Sequence, residues 1–216
     1  MEQGVPFLDK WNIEFHLEKV QGLKMRADAL AKREAIVLAA KDLIFKENAE
    51  LSFRLIATEA DVGVATVHRH FPSLVDLLVE VIPLALADIQ ALIDSFDPMW
   101  ESDPAKAWHT ICHTLSGMEA TVLNDSFYLT VVESLKVEKV RELLISNLRP
   151  LIAGLLNKAV KHGFVAPDLE PLKFHFGLVA ASRPLPIQVE RIEPGFSAWA
   201  VDNFLSGLRS NADTSK

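Results

Sequence analysis

The chain has 216 residues, half of them hydrophobic, a formal net charge of −7 and one cysteine. That length and apolar content suffice for one large or two modest helical domains, and a single Cys112 excludes an intrachain disulfide and fits a reducing compartment. The opening MEQGVPFLDK lacks the basic-then-apolar layout of a signal peptide and no apolar run is long enough to span a bilayer, so no membrane association and a cytoplasmic location are expected.

Residues 1–23 read as an N-terminal extension with scattered apolar residues, of which Glu14 to Val20 has helical character; Met25 is a second candidate start. A first helix is predicted from about Asp28 to Lys46, with Ile36, Ala39, Ala40, Leu43 and Ile44 on one face and Asn48 as a left-handed C-cap. Then comes RLIATEADVGVATVHRHF, residues 54–71, which reads as two short helices around a tight turn. Leu55, Ile56 and Ala57 open an apolar face, Val62 sits in the turn and Val67 lies on the following helix, the positions where two steeply crossing helices must touch. Val64, Ala65, Thr66, His68, Arg69 and His70 point away from that contact. Thr66, Arg69 and both histidines carry donors for phosphates or base edges. Ser52 is the predicted N-cap of the first of these helices, with a hydroxyl left for a phosphate, and Pro72 and Ser73 end the second and start the next. By spacing alone, this pair is equally a helical hairpin inside an ordinary all-α domain.

A fourth helix from Ser73 carries Val75, Leu78, Val79 and Ile82, and Pro83 predicts a kink or break before the pattern resumes through Leu86, Ile89, Leu92 and Ile93. Asp103-Pro104 marks the start of the body's first helix, with Trp108, Ile111, Cys112, Leu115, Met118 and Val122 as its core stripe. Phe127, Tyr128, Val131 and Val132 belong to the next. A long stretch from Val137 to His162, kinked or divided at Pro150, is closed by Gly163. Two last helices are predicted at about 170–182 and 196–208, separated by a loop that Pro184, Pro186 and Pro194 enforce. They show apolar residues on more than one side: Phe174, Phe176, Leu178 and Val179, then Phe196, Trp199, Phe204 and Leu205. Residues 210–216 are a polar tail.

The segments RADALAKREAIVLAAKDLIF (26–45) and LSFRLIATEADVGVATVHRHFPSLVDLL (51–78) resemble the tetracycline-repressor (TetR) family of bacterial transcription regulators. Weaker likeness continues in DPAKAW (103–108), LLNKAVKHGFVAPDLEP (155–171) and DNFLSGLR (202–209). The resemblance implies an all-α chain with a helix-turn-helix head at 24–74, double-stranded operator DNA as partner, and a ligand-binding and dimerisation body at 75–209. It implies a homodimer built as a four-helix bundle from the last two helices, and a small, largely apolar organic effector bound among the body helices. Trp108, His109, His113, Phe127, Tyr128, Glu133, Phe174 and His175 are the candidate lining. His109 and His113 are also one helical turn apart, a metal-ligand spacing, but no Cys pair or third partner is visible, so neither metal nor cofactor is assigned.

Four positions depart from the family pattern. Asp61 stands where a turn glycine is usual and tolerates a left-handed backbone better than most residues. Ala65 replaces a frequent glycine, His68 the usual tyrosine, and Leu74 a frequent lysine, which removes a phosphate contact. Charge gives no extra support for DNA. Between Lys24 and Asp76 eight basic residues face eight acidic ones, so the head is neutral and the rest of the chain carries the whole deficit. Lys24, Arg26, Lys32 and Arg33 nevertheless cluster where the chain enters helix one, an arm suited to the phosphate backbone, and the small number of cations predicts a modest salt dependence. No phosphate-cradling glycine loop or nucleophile elbow occurs, so an enzyme is not expected. The expected function is a DNA-binding regulator, a repressor released by its effector. The alternative is a TetR-like helical dimer that has lost its operator and binds small molecules or partners.

Overall fold

The computed structural model describes residues 7–44, 51–122, 133–134, 136–183 and 191–213, and over these the protein is all-α. In chain order the helices are α1 (Phe7–Ile44), α2 (Phe53–Glu59), α3 (Val64–His70), α4 (Leu74–Ser95), α5 (Asp97–Ser102), α6 (Pro104–Val122), α7 (Glu138–Lys161), α8 (Pro171–Ser182) and α9 (Phe196–Asp213). The predicted Asn48 cap, the Pro184 and Pro186 loop, and Phe127, Tyr128, Val131 and Val132 lie outside the described residues.

Several helices differ from the sequence expectation; α5 was not foreseen, and α9 runs on to Asp213, past the expected end near residue 208. The extension does not stand apart from helix one: α1 is continuous from Phe7 and 38 residues long. No proline interrupts it, and Gly22, its one glycine, costs only about 1 kcal/mol in a helix interior. From Leu23 to Lys32 the described side chains are exposed on all sides, so this part of α1 projects beyond the core, which begins at Ile36. Pro83 does not break α4, nor Pro150 α7; both helices run through their proline. Each proline deletes a single backbone bond, and burial on either side of it (Val81 and Ala85 around Pro83, Leu148 and Leu151 around Pro150) holds the flanking turns together.

Two hydrophobic clusters organise the chain. The head cluster joins Ile36, Val37, Ala40, Leu43 and Ile44 of α1 with Ile56, Ala57, Val67, Phe71, Leu77, Leu78 and Val81. The body cluster joins Ile93 of α4 with Trp108, Ile111, Cys112 and Leu115 of α6, Leu148 to Ala159 of α7, Phe174 and Leu178 of α8, and Val201 and Leu205 of α9. Helix α4 thus belongs to both, its N-terminal half to the head and its C-terminal half to the body, and it packs along α1 and α7. Cys112 lies inside the body cluster, where burial pushes its thiol well above the usual range. Gly163 closes α7 with φ +72°, and Gly177 lets α8 meet α9: a Cβ there would fall 2.5 Å from the Phe204 ring.

Outer faces remain on the last two helices. Phe176 is 55% exposed and Trp199 58% exposed, while Phe174, Leu178, Val201 and Leu205 on the opposite faces are buried. No helix among the described residues is long and apolar enough to cross a membrane.

Candidate nucleic-acid interface

Local sequence dictates the α2–turn–α3 unit. Ser52 is extended and its Oγ accepts the Leu55 N–H at 3.3 Å, capping α2. After Ala60, Asp61 takes φ +51°, the left-handed conformation that reverses the chain. Asp reaches it at less cost than most L-residues because its short carboxylate tolerates that region. Val62 then donates to the Ala57 carbonyl at 2.9 Å and Gly63 starts α3. The two helices are pinned by Ile56, Ala57 and Val67, all buried, with Leu55 and Val62 packed at the edge as the spacing requires.

With Val67 inward, the remaining α3 side chains are turned out. Val64, Ala65, His68 and Arg69 are exposed, and Thr66 and His70 half-buried. Arg69 lies along the helix, its Nη2 donating to Thr66 Oγ1 at 3.1 Å and its Nε to the Ala65 carbonyl at 3.4 Å. This gives a small surface with an aliphatic contact (Val64, Ala65) beside hydroxyl and guanidinium donors, the chemistry that reads base edges and phosphates in a major groove. The His68 ring meets Phe53 edge-on at 4.6 Å, so it props α2 against α3 as well as facing outward.

Three predicted contacts have other partners. Ser73 caps α4 with a capping box: its hydroxyl accepts the Asp76 N–H at 3.2 Å and donates to Asp76 Oδ2 at 2.7 Å, so its proton is already engaged. Lys32 pairs with Asp28 at 2.8 Å. Arg33, expected in the phosphate arm, is engaged within the head. Its guanidinium donates to the His70 carbonyl at 2.9 Å, pairs with Glu80 and lies 4.2 Å over the Phe71 ring, locking the end of α3 between α1 and α4. Lys24 and Arg26 remain on the exposed, projecting part of α1. Leu74, where a lysine was the family expectation, is half-buried against the head core.

Residues 36–81, which contain this unit, match the family model for bacterial regulatory proteins of the tetR family. The head is similar to those of the TetR family. Over 87% of its length the chain is similar in fold to RolR, solved in complex with the ligand resorcinol, at 16% identity over 93% of that chain, with a TM-score of 0.53. It is likewise similar in fold to a Mesorhizobium loti protein whose description is that of a TetR-family transcriptional regulator, at 16% identity over 82% and 96% of the two chains, with a TM-score of 0.51. No curated protein sequence matches the chain.

Behind this head, the residues predicted to line an effector cavity do not converge. Trp108 and Phe174 are buried in the body core, 5.4 Å apart between ring centroids. His109 and His113 lie on the opposite, outer face of α6, one turn apart, as the period of 3.6 demands once Trp108, Ile111 and Cys112 point inward. Both reach Asp202 on α9. The hydrogen bond from His113, helped by the charge of the two histidines, holds the Asp202 carboxyl below its ordinary range. Glu133 is exposed and bound to Lys136 at 2.7 Å. His175 is half-buried on α8, and burial lowers its pKa to about 4. Phe127 and Tyr128 lie outside the described residues. A cleft of about 390 Å³ opens elsewhere, between α5 and the end of α7, where Trp100 stacks on His162 beside Lys158 and Lys161. Neither it nor Asp202 was visible in the sequence, since each depends on helix pairings far apart in the chain.

Proposed function

We propose that this protein is a homodimeric, sequence-specific transcriptional regulator, a repressor that a small, largely apolar organic effector releases from double-stranded operator DNA. The observation that carries the reading is the outward surface of α3, with Val64, Ala65, Thr66 and Arg69 presented on a helix whose single buried side chain is Val67. A face kept aliphatic and donor-bearing on a buried pivot suits a groove. A two-fold dimer would set two such helices about one DNA turn apart or a multiple of it. The exposed Phe176 and Trp199 support α8 and α9 as its interface. Support for an effector comes from the body core, where the indole N–H groups of Trp100 and Trp108 are buried with no acceptor among the described residues. An organic molecule that brings one acceptor to Trp108 would remove a cost of about 1–3 kcal/mol.

The effector would act by population shift, stabilising a head spacing that no longer fits two half-sites. The test is fluorescence anisotropy on the promoter next to the protein's own gene, with Arg69→Ala and Thr66→Ala as controls. Specific binding that either variant weakens, with thermal stability nearly unchanged, is expected. Absence of any specific site in a random-sequence selection would leave the operator-free helical dimer instead.

A further inference from the structure

His109 and His113, separated by one turn of α6, and Asp202, some ninety residues later on α9, bring three metal-ligating side chains together outside the nucleic-acid interface. Their ligand atoms all lie within 4.8 Å of one another. His109 Nε2 is 3.2 Å and His113 Nε2 is 2.8 Å from the same oxygen, Asp202 Oδ1. The two imidazoles lie 4.2 Å apart between centroids and 33° from coplanar, so both present the same edge to the carboxylate. Around a tetrahedral zinc ion with arms of roughly 2.0–2.1 Å, neighbouring ligand atoms stand about 3.3 Å apart. The nitrogen–oxygen separations here are already close to that edge, and a small rotation of the Asp202 side chain would open space for the ion.

We propose that His109, His113 and Asp202 form a binding site for a divalent transition-metal ion, which ties α6 to α9. Two imidazoles and one carboxylate select an ion of the zinc, cobalt or nickel type over magnesium or calcium, which prefer all-oxygen shells. Three protein ligands leave a coordination position for water or an incoming donor, the arrangement of exchangeable rather than closed structural sites. Access is direct, since the side chains of His109 and Asp202 are at least half exposed. The hydrogen-bonded cluster holds the three side chains in place without an ion, so binding demands little reorganisation. Because α9 carries the exposed Trp199, occupancy would stiffen a helix whose outer face is proposed to form the dimer. That consequence rests on the proposed function; metal binding itself does not.

The experiment uses the full-length, untagged protein, stripped with a chelator and titrated with Zn(II) by calorimetry and with Co(II) by visible absorption. One ion per chain is expected, with the intense ligand-field bands of a low-coordinate Co(II) site and a raised thermal midpoint. His109→Gln and Asp202→Asn, both at exposed positions, should each weaken binding by at least about tenfold, and His109→Gln with His113→Gln should remove the bands while circular dichroism shows the fold retained. No uptake at micromolar free ion, or unchanged uptake by the folded double variant, overturns the proposal. Operator binding is measured in parallel, so that its failure is scored separately from that of the metal site.

Discussion

Replacing Arg33 by Ala should unfold the head more easily while leaving the number of phosphate contacts unchanged. Three interactions are lost together. The charge-assisted bond to the His70 carbonyl is worth about 1.5–3 kcal/mol. The guanidinium over Phe71 adds about 0.5–1 kcal/mol. The pair with Glu80 is more than a third exposed on both sides, so screening reduces it to under about 1 kcal/mol. These contacts share one side chain and are not additive, and a net loss of about 2–3 kcal/mol is expected. For a chain of this size that lowers the thermal midpoint by roughly 4–12 °C. Arg33→Lys should recover part of the charge term but not the fork, and fall between the two. The assay is urea and thermal unfolding beside anisotropy titrations at several salt concentrations. A loss under about 0.5 kcal/mol, or a shallower salt slope in folded Arg33→Ala, would refute the structural role and return Arg33 to the phosphate backbone.

Arg69→Ala should do the reverse, weakening operator binding and reducing the salt slope by about one unit, with stability changed by less than about 0.5 kcal/mol. Leu74→Lys should tighten binding and steepen the salt dependence, at a cost of about 1 kcal/mol in stability because Leu74 covers part of the head core; unchanged affinity would place the start of α4 away from the DNA backbone. Asp61→Gly should raise stability by up to about 1 kcal/mol, since φ +51° suits glycine, and Asp61→Val should lower it; equal midpoints for the two would show that the turn is unstrained. For His175 the folded pKa of about 4 lies below the ordinary 6.5, so the unfolded chain takes up the proton first as pH falls. Stability is therefore complete above pH 6.5 and declines towards pH 4 by up to about 3 kcal/mol, a slope that His175→Leu should flatten in acid-unfolding titrations.

Local chemistry explains which features could be read in advance. The α2–turn–α3 unit was legible because its determinants lie within twenty residues: Ser52 caps, Asp61 turns, and Ile56, Ala57 and Val67 recur at the spacing of two crossing helices. The buried face of α1 and the Trp108 to Leu115 stripe followed from periodicity alone. What escaped depends on distant pairing. Composition placed Arg33 in a basic cluster, yet its partners are His70 and Glu80. Spacing marked His109 and His113 as a possible ligand pair, yet the third member, Asp202, belongs to a different helix. Listing aromatic and histidine residues together as cavity lining ignored the helical period, which sends Trp108 inward and His109 outward. Of the kink or break expected at each proline, the break is absent: the rule that proline ends a helix describes an isolated helix, whereas Pro83 and Pro150 lie in helices whose neighbouring turns are buried.

The positions of two ion pairs decide how a signal in the body can reach the head. Arg33 meets Glu80, and eight residues further along both helices Lys41 meets Asp88. Equal steps in the same direction mean that α1 and α4 run side by side and parallel there, over about 12 Å of helix. The hydrogen bond to Asp88 raises the Lys41 pKa. Between and just before these two clamps, Ile36, Val37 and Ala40 share a core with Leu77, Leu78 and Val81. The head is therefore fastened along the first half of α4, while Leu86, Ile89 and Ile93 on the second half pack with the body. A displacement of α7 that moves Ile93 cannot be absorbed in a flexible linker, because the same helix continues without a break through Pro83 into the head. Pro83 lies between the two halves, where the helix lacks one backbone bond, and is the place where α4 bends at least cost. Pro83→Ala restores that bond, so it should stiffen α4 and strengthen rather than loosen the mechanical tie between body and head.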